Sequence, residues 1–299
     1  MAGAAGPRHP RPPSHGGGRV LTVGIVTDSA ASLPDDLVAS SGVVVVPLWL
    51  TLGGEPVRDG ELSLEEVLRR LDEGLTTSSP SPGEFAKAIA QADQGDGVLV
   101  LTLSAGMSST YEAARLATEL AEDSDVELLD TGTAAGAEGL VVLAAAEAAK
   151  AGGTLADVRT AAATAAAQVR LVATLPTLDH LARGGRVPGS AAWAGRWLGL
   201  NPIFEFRGGH VRPHRPARGQ DAAADRLISM WAHSITKGAR LHVVAMHASV
   251  PEAADRLLAA VRRRAEPSSE WIGSFSPVMV SHTGPGLVGL AWWWDRPGD

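Results

Sequence analysis

The feature that most limits how this chain folds is a repeated order: a short apolar run, then a loop rich in hydroxyls and aspartate, then a helix start. Residues 20–26 are the first such run and end in Thr27-Asp28-Ser29. Residues 98–103 lead into a loop at 104–110, and residues 126–129 lead into Asp130-Thr131 before an alanine-rich helical stretch. Strands this apolar are buried on both faces, and strand–loop–helix repeats are accommodated most economically by a parallel sheet covered by helices. The loops at Asp28, Ser108 and Asp130 then open on one sheet edge, the edge at which α/β folds bind ligands.

Between these units, Ser32 with Asp35, Ser63 with Glu66 and Ser81 with Glu84 have the spacing of helix starts closed by capping boxes. Residues 43–52 supply one further apolar strand, and Gly74 ends the second helix. Pro80 and Pro82 forbid regular helix over 76–82, which assigns Thr77 and Ser78 to a loop.

The pattern changes beyond Gly152-Gly153 and the helix that starts at Thr154. Residues 171–174 are extended, 178–182 form a helical turn stopped by Gly184-Gly185, and Gly208-Gly209 sits between the runs 202–206 and 210–213 as a hairpin turn. A strand at 241–246, a helix from Pro251 to Arg262-Arg263-Arg264 and a strand at 287–294 complete the chain. On that last strand, alternation sends Trp293 to the face opposite Trp292 and Trp294. The fold class is therefore α/β, with a parallel α/β N-terminal domain over 20–165. A mixed α+β C-terminal domain with antiparallel pairing follows over 166–299. Residues 1–19, rich in Pro, Gly and Arg, read as a disordered tail, with a basic contact arm as the alternative.

Several function classes lose their support. Across 299 residues the net charge is -7 with both signs interleaved, which offers no cationic surface for nucleic acid. The chain has no cysteine, so disulfides and thiolate metal sites are excluded, and a reducing compartment, the cytoplasm, is the default location. The longest apolar runs, 43–52 and 140–149, are shorter than the ~20 residues a membrane-spanning helix needs. No phosphate loop, dinucleotide fingerprint, nucleophile elbow or zinc-protease motif occurs, so no metal or nucleotide cofactor is implied. Ser108, His282 and several aspartates would permit a hydrolase triad in principle.

Hydroxyls in a loop that runs from a strand into a helix offer side-chain donors, free amides and the positive end of the helix dipole together, a combination that favours an anion. Ser108 and Thr110 have that placement, and Thr77 with Ser78 precedes another capped helix. On spacing alone, capping of the helix is the commoner role for such residues.

A resemblance runs through these same residues. The string 23–29 with Leu33-Pro34, the Thr77-Ser78-x-Pro80-Ser81 loop and Leu103-Ser104-x-x-Met107-Ser108-x-Thr110-Tyr111 resemble successive blocks of the DegV family. The stretch 178–186, Asn201-Pro202-Ile203 with Arg218 after it, and His282-Thr283-Gly284-Pro285-Gly286 resemble its second half in the same order. The resemblance implies a two-domain protein without catalytic activity that holds one long-chain fatty acid between its domains. It also implies presentation of that acid to a separate ATP-dependent fatty acid kinase, which forms an acyl phosphate for phospholipid synthesis. By position, Thr77 and Ser108 would contact the carboxylate, with Ser78 beside them, while Arg186 and His282 would approach from the second domain. Ser79 departs from the family pattern where glutamine is common, and Ser109 where glycine is usual, so Ser109 would add a contact, narrow the site or shift the preferred ligand. A serine-dependent acyl-ester hydrolase and a small-anion regulatory module are the competing classes.

Overall fold

The computed structural model describes residues 22–71, 73–185 and 199–296. The tail at 1–19 and Arg186 lie outside the described residues. In chain order the first half runs β1 (Gly24–Asp28), α1 (Asp35–Ser41), β2 (Val44–Val46), β3 (Trp49–Leu52), β4 (Glu55–Arg58), α2 (Leu64–Arg69), β5 (Thr76–Ser78), α3 (Pro82–Ala92), β6 (Val98–Thr102), α4 (Thr110–Leu120), β7 (Val126–Asp130), α5 (Ala135–Lys150) and α6 (Leu155–Gln168). The second half continues with β8 (Arg170–Thr174), α7 (Asp179–Gly184), β9 (Asn201–Arg207), β10 (His210–Ala217), α8 (Gln220–Ala232), β11 (Arg240–His247), α9 (Pro251–Arg262), β12 (Pro267–Ser274), α10 (Pro277–Thr283) and β13 (Val288–Asp295).

The repeats of the first half form the parallel sheet they imply, a four-stranded layer ordered β2-β1-β6-β7. Its central strands β1 and β6 are buried at every position, which is why their sequences do not alternate. The second half forms a six-stranded mixed sheet, β10-β9-β8-β13-β11-β12, antiparallel throughout except for the β11–β12 pair. Trp292 and Trp294 pack into one apolar cluster and Trp293 into another, as strand alternation requires.

Helix α5 packs against both sheets, touching β1 as well as β8, β11 and β13. Its small residues make this possible. A Cβ on Gly136 would sit 2.6 Å from Met246 Sδ and from Val244 Cγ1, so only glycine lets this turn reach β11. The resulting core is continuous from Val23 in the first half to Trp293 in the second.

Several local expectations are corrected. Residues 43–52 form two strands, with Pro47 between them: β2 joins the parallel sheet, whereas β3 turns away into a three-stranded sheet ordered β4-β3-β5. Residues 76–78 are strand β5 and not loop, because Thr77 pairs with Leu50 on β3. Ser32 does not cap α1, whose N-cap is Pro34; Ser32 takes a left-handed conformation and turns its hydroxyl elsewhere. The second helix ends at Arg69, short of Gly74. The Ser81–Glu84 capping box forms as spaced, and Ser63 accepts from the Glu66 N–H.

Glu138 lies in the first turn of α5 and is fully buried. Burial pushes its carboxyl well above the ordinary 4.5, the nearby Asp28 and Asp130 charges push the same way, and the Thr27 hydroxyl at 3.3 Å opposes them. A carboxyl raised in the folded state binds more protons folded than unfolded, so its contribution to stability falls as pH rises above 4.5. Glu138→Gln, which keeps the shape and carries no charge, should gain stability relative to the wild type as pH is raised from acid to mildly alkaline in denaturant titrations. A difference independent of pH would show that Glu138 titrates normally.

Candidate functional site

A cavity of about 160 Å³ lies where the ends of β5, β6 and α10 converge. Thr77, Ser78, Ser79, Ser108, Ser109 and His282 form its polar wall. Leu48, Leu103, Met107, Leu181, Val278 and Met279 close it on the apolar side. The structure thus brings together Thr77, Ser78, Ser108, Ser109 and His282 from the residues singled out in the sequence. Arg186, outside the described residues, is not placed.

The position of each side chain has a local cause. Thr77 is held by the pairing of β5 with β3, whose Leu50 is wholly buried. Ser108 ends a compact turn in which the Met107 and Ser108 amides donate to Ser104 O at 2.9 and 3.3 Å. That turn is pinned from the neighbouring strand end, since the Ser104 N–H donates to Thr133 O at 2.8 Å. The hairpin tip of the second half leans on the same place, with the Gly209 N–H donating to Gly132 O at 2.6 Å. His282 sits near the end of α10, which closes at Gly284. A Cβ on Gly284 would fall 2.4 Å from His180 Cδ2, so glycine here lets α7 dock beside the histidine.

The hydrogen bonds prepare two hydroxyls as donors. Ser108 Oγ accepts the Thr110 N–H at 3.2 Å and lies 2.8 Å from the fully buried Thr110 Oγ1. A hydroxyl has one proton to give and two lone pairs, so when Thr110 donates to Ser108, the Ser108 proton is left for the cavity. Thr77 Oγ1 lies 2.8 Å from His282 Nε2, a contact between residues 205 apart in sequence. With the proton on Nε2, the histidine donates to Thr77 and the Thr77 proton also becomes available. An anion in the cavity selects these two orientations together. The capping role of Ser108 and its availability to a ligand are therefore compatible.

Ser109, which makes no side-chain cap to α4, lies at the rim, with its Oγ 2.9 Å from Ser79 Oγ. Both residues also border an open groove outside the cavity, lined in part by Trp49, Pro56 and Leu116. Sequence reading did not find this pair as a unit, because nothing links positions 79 and 109 until the loops meet.

Behind the cavity stand two buried carboxyls. Asp28 accepts the Ala30 N–H and the Leu103 N–H, both at 2.9 Å, but burial pushes its pKa up to about 7 against those bonds. Burial likewise raises Asp59, against bonds from the Ser29 hydroxyl and the Val278 amide. Among the described residues no cluster of His, Cys, Asp and Glu has the arrangement of a metal site. No helix among them is long and apolar enough to cross a membrane.

Comparison with known proteins agrees with this architecture. The family described as an uncharacterised protein, DegV family, matches residues 22–294, and the chain belongs to the DegV family. A DegV domain-containing protein of Streptomyces coelicolor is 36% identical over 274 residues, which cover 90% of this chain and 97% of that protein. Among solved structures, a Thermus thermophilus DegV family protein described by its fatty acid binding superposes with a TM-score of 0.86. It is 30% identical, and the match covers 92% of this chain and 100% of that one. A DegV lipid binding protein from Thermotoga maritima gives a TM-score of 0.83 at 28% identity, covering 93% and 100% of the two chains.

The rim geometry is directly testable. Because the chain has no cysteine of its own, Ser79→Cys with Ser109→Cys creates a single pair whose sulfurs replace atoms 2.9 Å apart. Mild oxidation should form a disulfide, read as the loss of two hydrogens in the intact mass and as a change reversed by reductant. A pair that stays reduced would mean that the two loops do not face each other.

Proposed function

We propose that this chain binds a long-chain fatty acid without transforming it, holding the carboxylate at Thr77 and Ser108 while the tail is buried in the apolar interior. The observation that carries the reading is the meeting of Thr77 and Ser108 with His282, drawn from distant parts of the sequence, on one cavity whose opposite side is closed by Leu48, Leu103, Met107, Leu181, Val278 and Met279. A carboxylate leaving water needs its lone pairs satisfied, and hydroxyl donors backed by Thr110 and His282 do this without a buried salt bridge. Ser78 stands beside them, with Ser109 at the rim.

The tail supplies most of the affinity, at about 0.8 kcal/mol per buried methylene before ordering costs. The cavity of about 160 Å³ suits a head group and the first methylenes, whereas pockets for ligands of this size usually measure roughly 300–1,000 Å³. Accommodation of the tail then requires side chains to move, and Met107 and Met279, unbranched and flexible, are suited to yield. The descriptions of the Thermus and Thermotoga relatives as fatty acid and lipid binding support the same assignment.

The finer reading is a cytoplasmic carrier with lobes 20–165 and 166–299 that presents its bound acid to a separate fatty acid kinase. Arg186 would then offset charge as phosphate reaches the head group. A hydrolase is less well supported: Ser108 Oγ bonds Thr110 and His282 Nε2 bonds Thr77, which suits two donor pairs better than a nucleophile and its base. A module for small anions would have no use for the apolar wall.

Denaturing extraction and mass spectrometry of the purified protein should yield near-stoichiometric long-chain fatty acid. A protein that is empty and also fails to take up added fatty acid would defeat the assignment. In calorimetry, Ser108→Ala should weaken binding by about 1 to 3 kcal/mol, because a buried carboxylate loses a donor; unchanged affinity removes Ser108 from the contact. Arg186→Ala should leave lipid binding intact and lower acyl-phosphate formation by the kinase, and normal formation would reject its role.

A further inference from the structure

Helix α10 carries Val278, Met279, His282 and Thr283 onto the cavity, so its placement decides where the histidine meets Thr77. The first turn of a buried helix exposes amides that need acceptors. Here they can be accounted for in full. Pro277 has no N–H to satisfy, and Met279 N–H donates to Ser276 Oγ at 3.4 Å. Ser276 N–H donates to Ser32 Oγ at 3.2 Å, and Val278 N–H donates to Asp59 Oδ1 at 3.2 Å, across separations of 244 and 219 residues. The acceptors for α10 thus come largely from the other half of the chain.

Asp59 is the junction of these contacts. It follows β4, is 8% exposed, and its own N–H donates to Leu48 O at 2.8 Å. Its Oδ2 accepts the Ser29 hydroxyl at 2.6 Å, and Ser29 Oγ accepts the Leu48 N–H at 3.0 Å. One carboxyl therefore fixes the turn after β1, the start of β3 and the first turn of α10 against one another. Leu48 and Val278, the residues so fixed, both line the cavity, whereas Asp59 itself does not.

We propose that Asp59 is a positioning residue for the binding site: by accepting from Ser29 and Val278 it sets α10, and through it His282, against Thr77. The proposal rests on the fatty-acid reading of the cavity for its ligand, but the geometric role belongs to the protein alone. Asp59 lies outside the lining of the cavity. Its effect is transmitted through Val278 and Leu48 to the wall on which the head group lies. Burial of the carboxyl fits this role, since a group held out of water and bonded on both oxygens is costly to leave unpaired.

The test uses the full chain, oleic acid carrying ¹³C at its carboxyl, and NMR of the histidine rings. Asp59→Ala should shift and broaden the bound carboxyl signal, raise the oleate off-rate severalfold and move the His282 ring resonances. Asp59→Asn keeps an acceptor for the Val278 N–H and should restore all three readings, which a merely destabilising substitution would not separate. Ser29→Ala should move them in the same direction by less. An Asp59→Ala protein that is folded by circular dichroism yet shows wild-type signals and off-rate overturns the proposal, and so does an Asn variant as impaired as the Ala variant. If Asp59→Ala does not fold, Ser29→Ala decides: unchanged signals overturn the proposal and shifted ones support it. If the wild type takes up no oleate, the ligand assignment fails, while the His282 ring resonances of the same variants still judge the role of Asp59.

Discussion

A helix that begins inside a protein must find acceptors for its first amides, and α10 takes two of them, Ser32 and Asp59, from turns encoded more than two hundred residues earlier. That requirement fastens the second half of the chain to the first at one face of the cavity. With α10 so placed, His282 reaches Thr77, the apolar residues of the helix close the wall, and α7 docks behind it through the space that Gly284 leaves. The site is thus a product of backbone hydrogen-bond accounting as much as of apolar packing.

The electrostatics of the region follow from the same burial. Asp28, Glu138 and Asp59 are all pushed toward the neutral form by removal from water. Asp28 is one hydrogen bond from the cavity wall, through Leu103. Acids biased in this way repel the carboxylate proposed to bind here less than fully ionised ones would. Hydroxyl donors then suffice where a fully charged surrounding would call for a cation.

The two positions that the sequence reading set apart from the DegV pattern, Ser79 and Ser109, face each other at the rim. Ser79 and Ser109 arise on separate loops yet share a hydrogen bond over the mouth of the cavity. Each residue taken singly looks like an unremarkable polar substitution. Together they make a contact between the β5–α3 connection and the start of α4, on the boundary between the inner cavity and the outer groove.

The sequence alone determined the parallel layer, the Gly208-Gly209 hairpin, the capping box at Ser81, the helix start at Thr154 and the opposite facing of Trp293, because hydrophobic period, turn residues and caps act over a few residues. It also marked Thr77, Ser108 and His282 by their family blocks. It gave no hint that β3 would leave the parallel sheet, nor that Thr77 would lie on a strand, since both depend on pairing partners distant in the chain. The roles of Ser32 and Asp59 were equally hidden: a polar residue near a turn has many local uses, and only the arrival of α10 decides which one it serves. Tertiary structure settles such questions because a buried amide is indifferent to sequence distance and requires only an acceptor within reach.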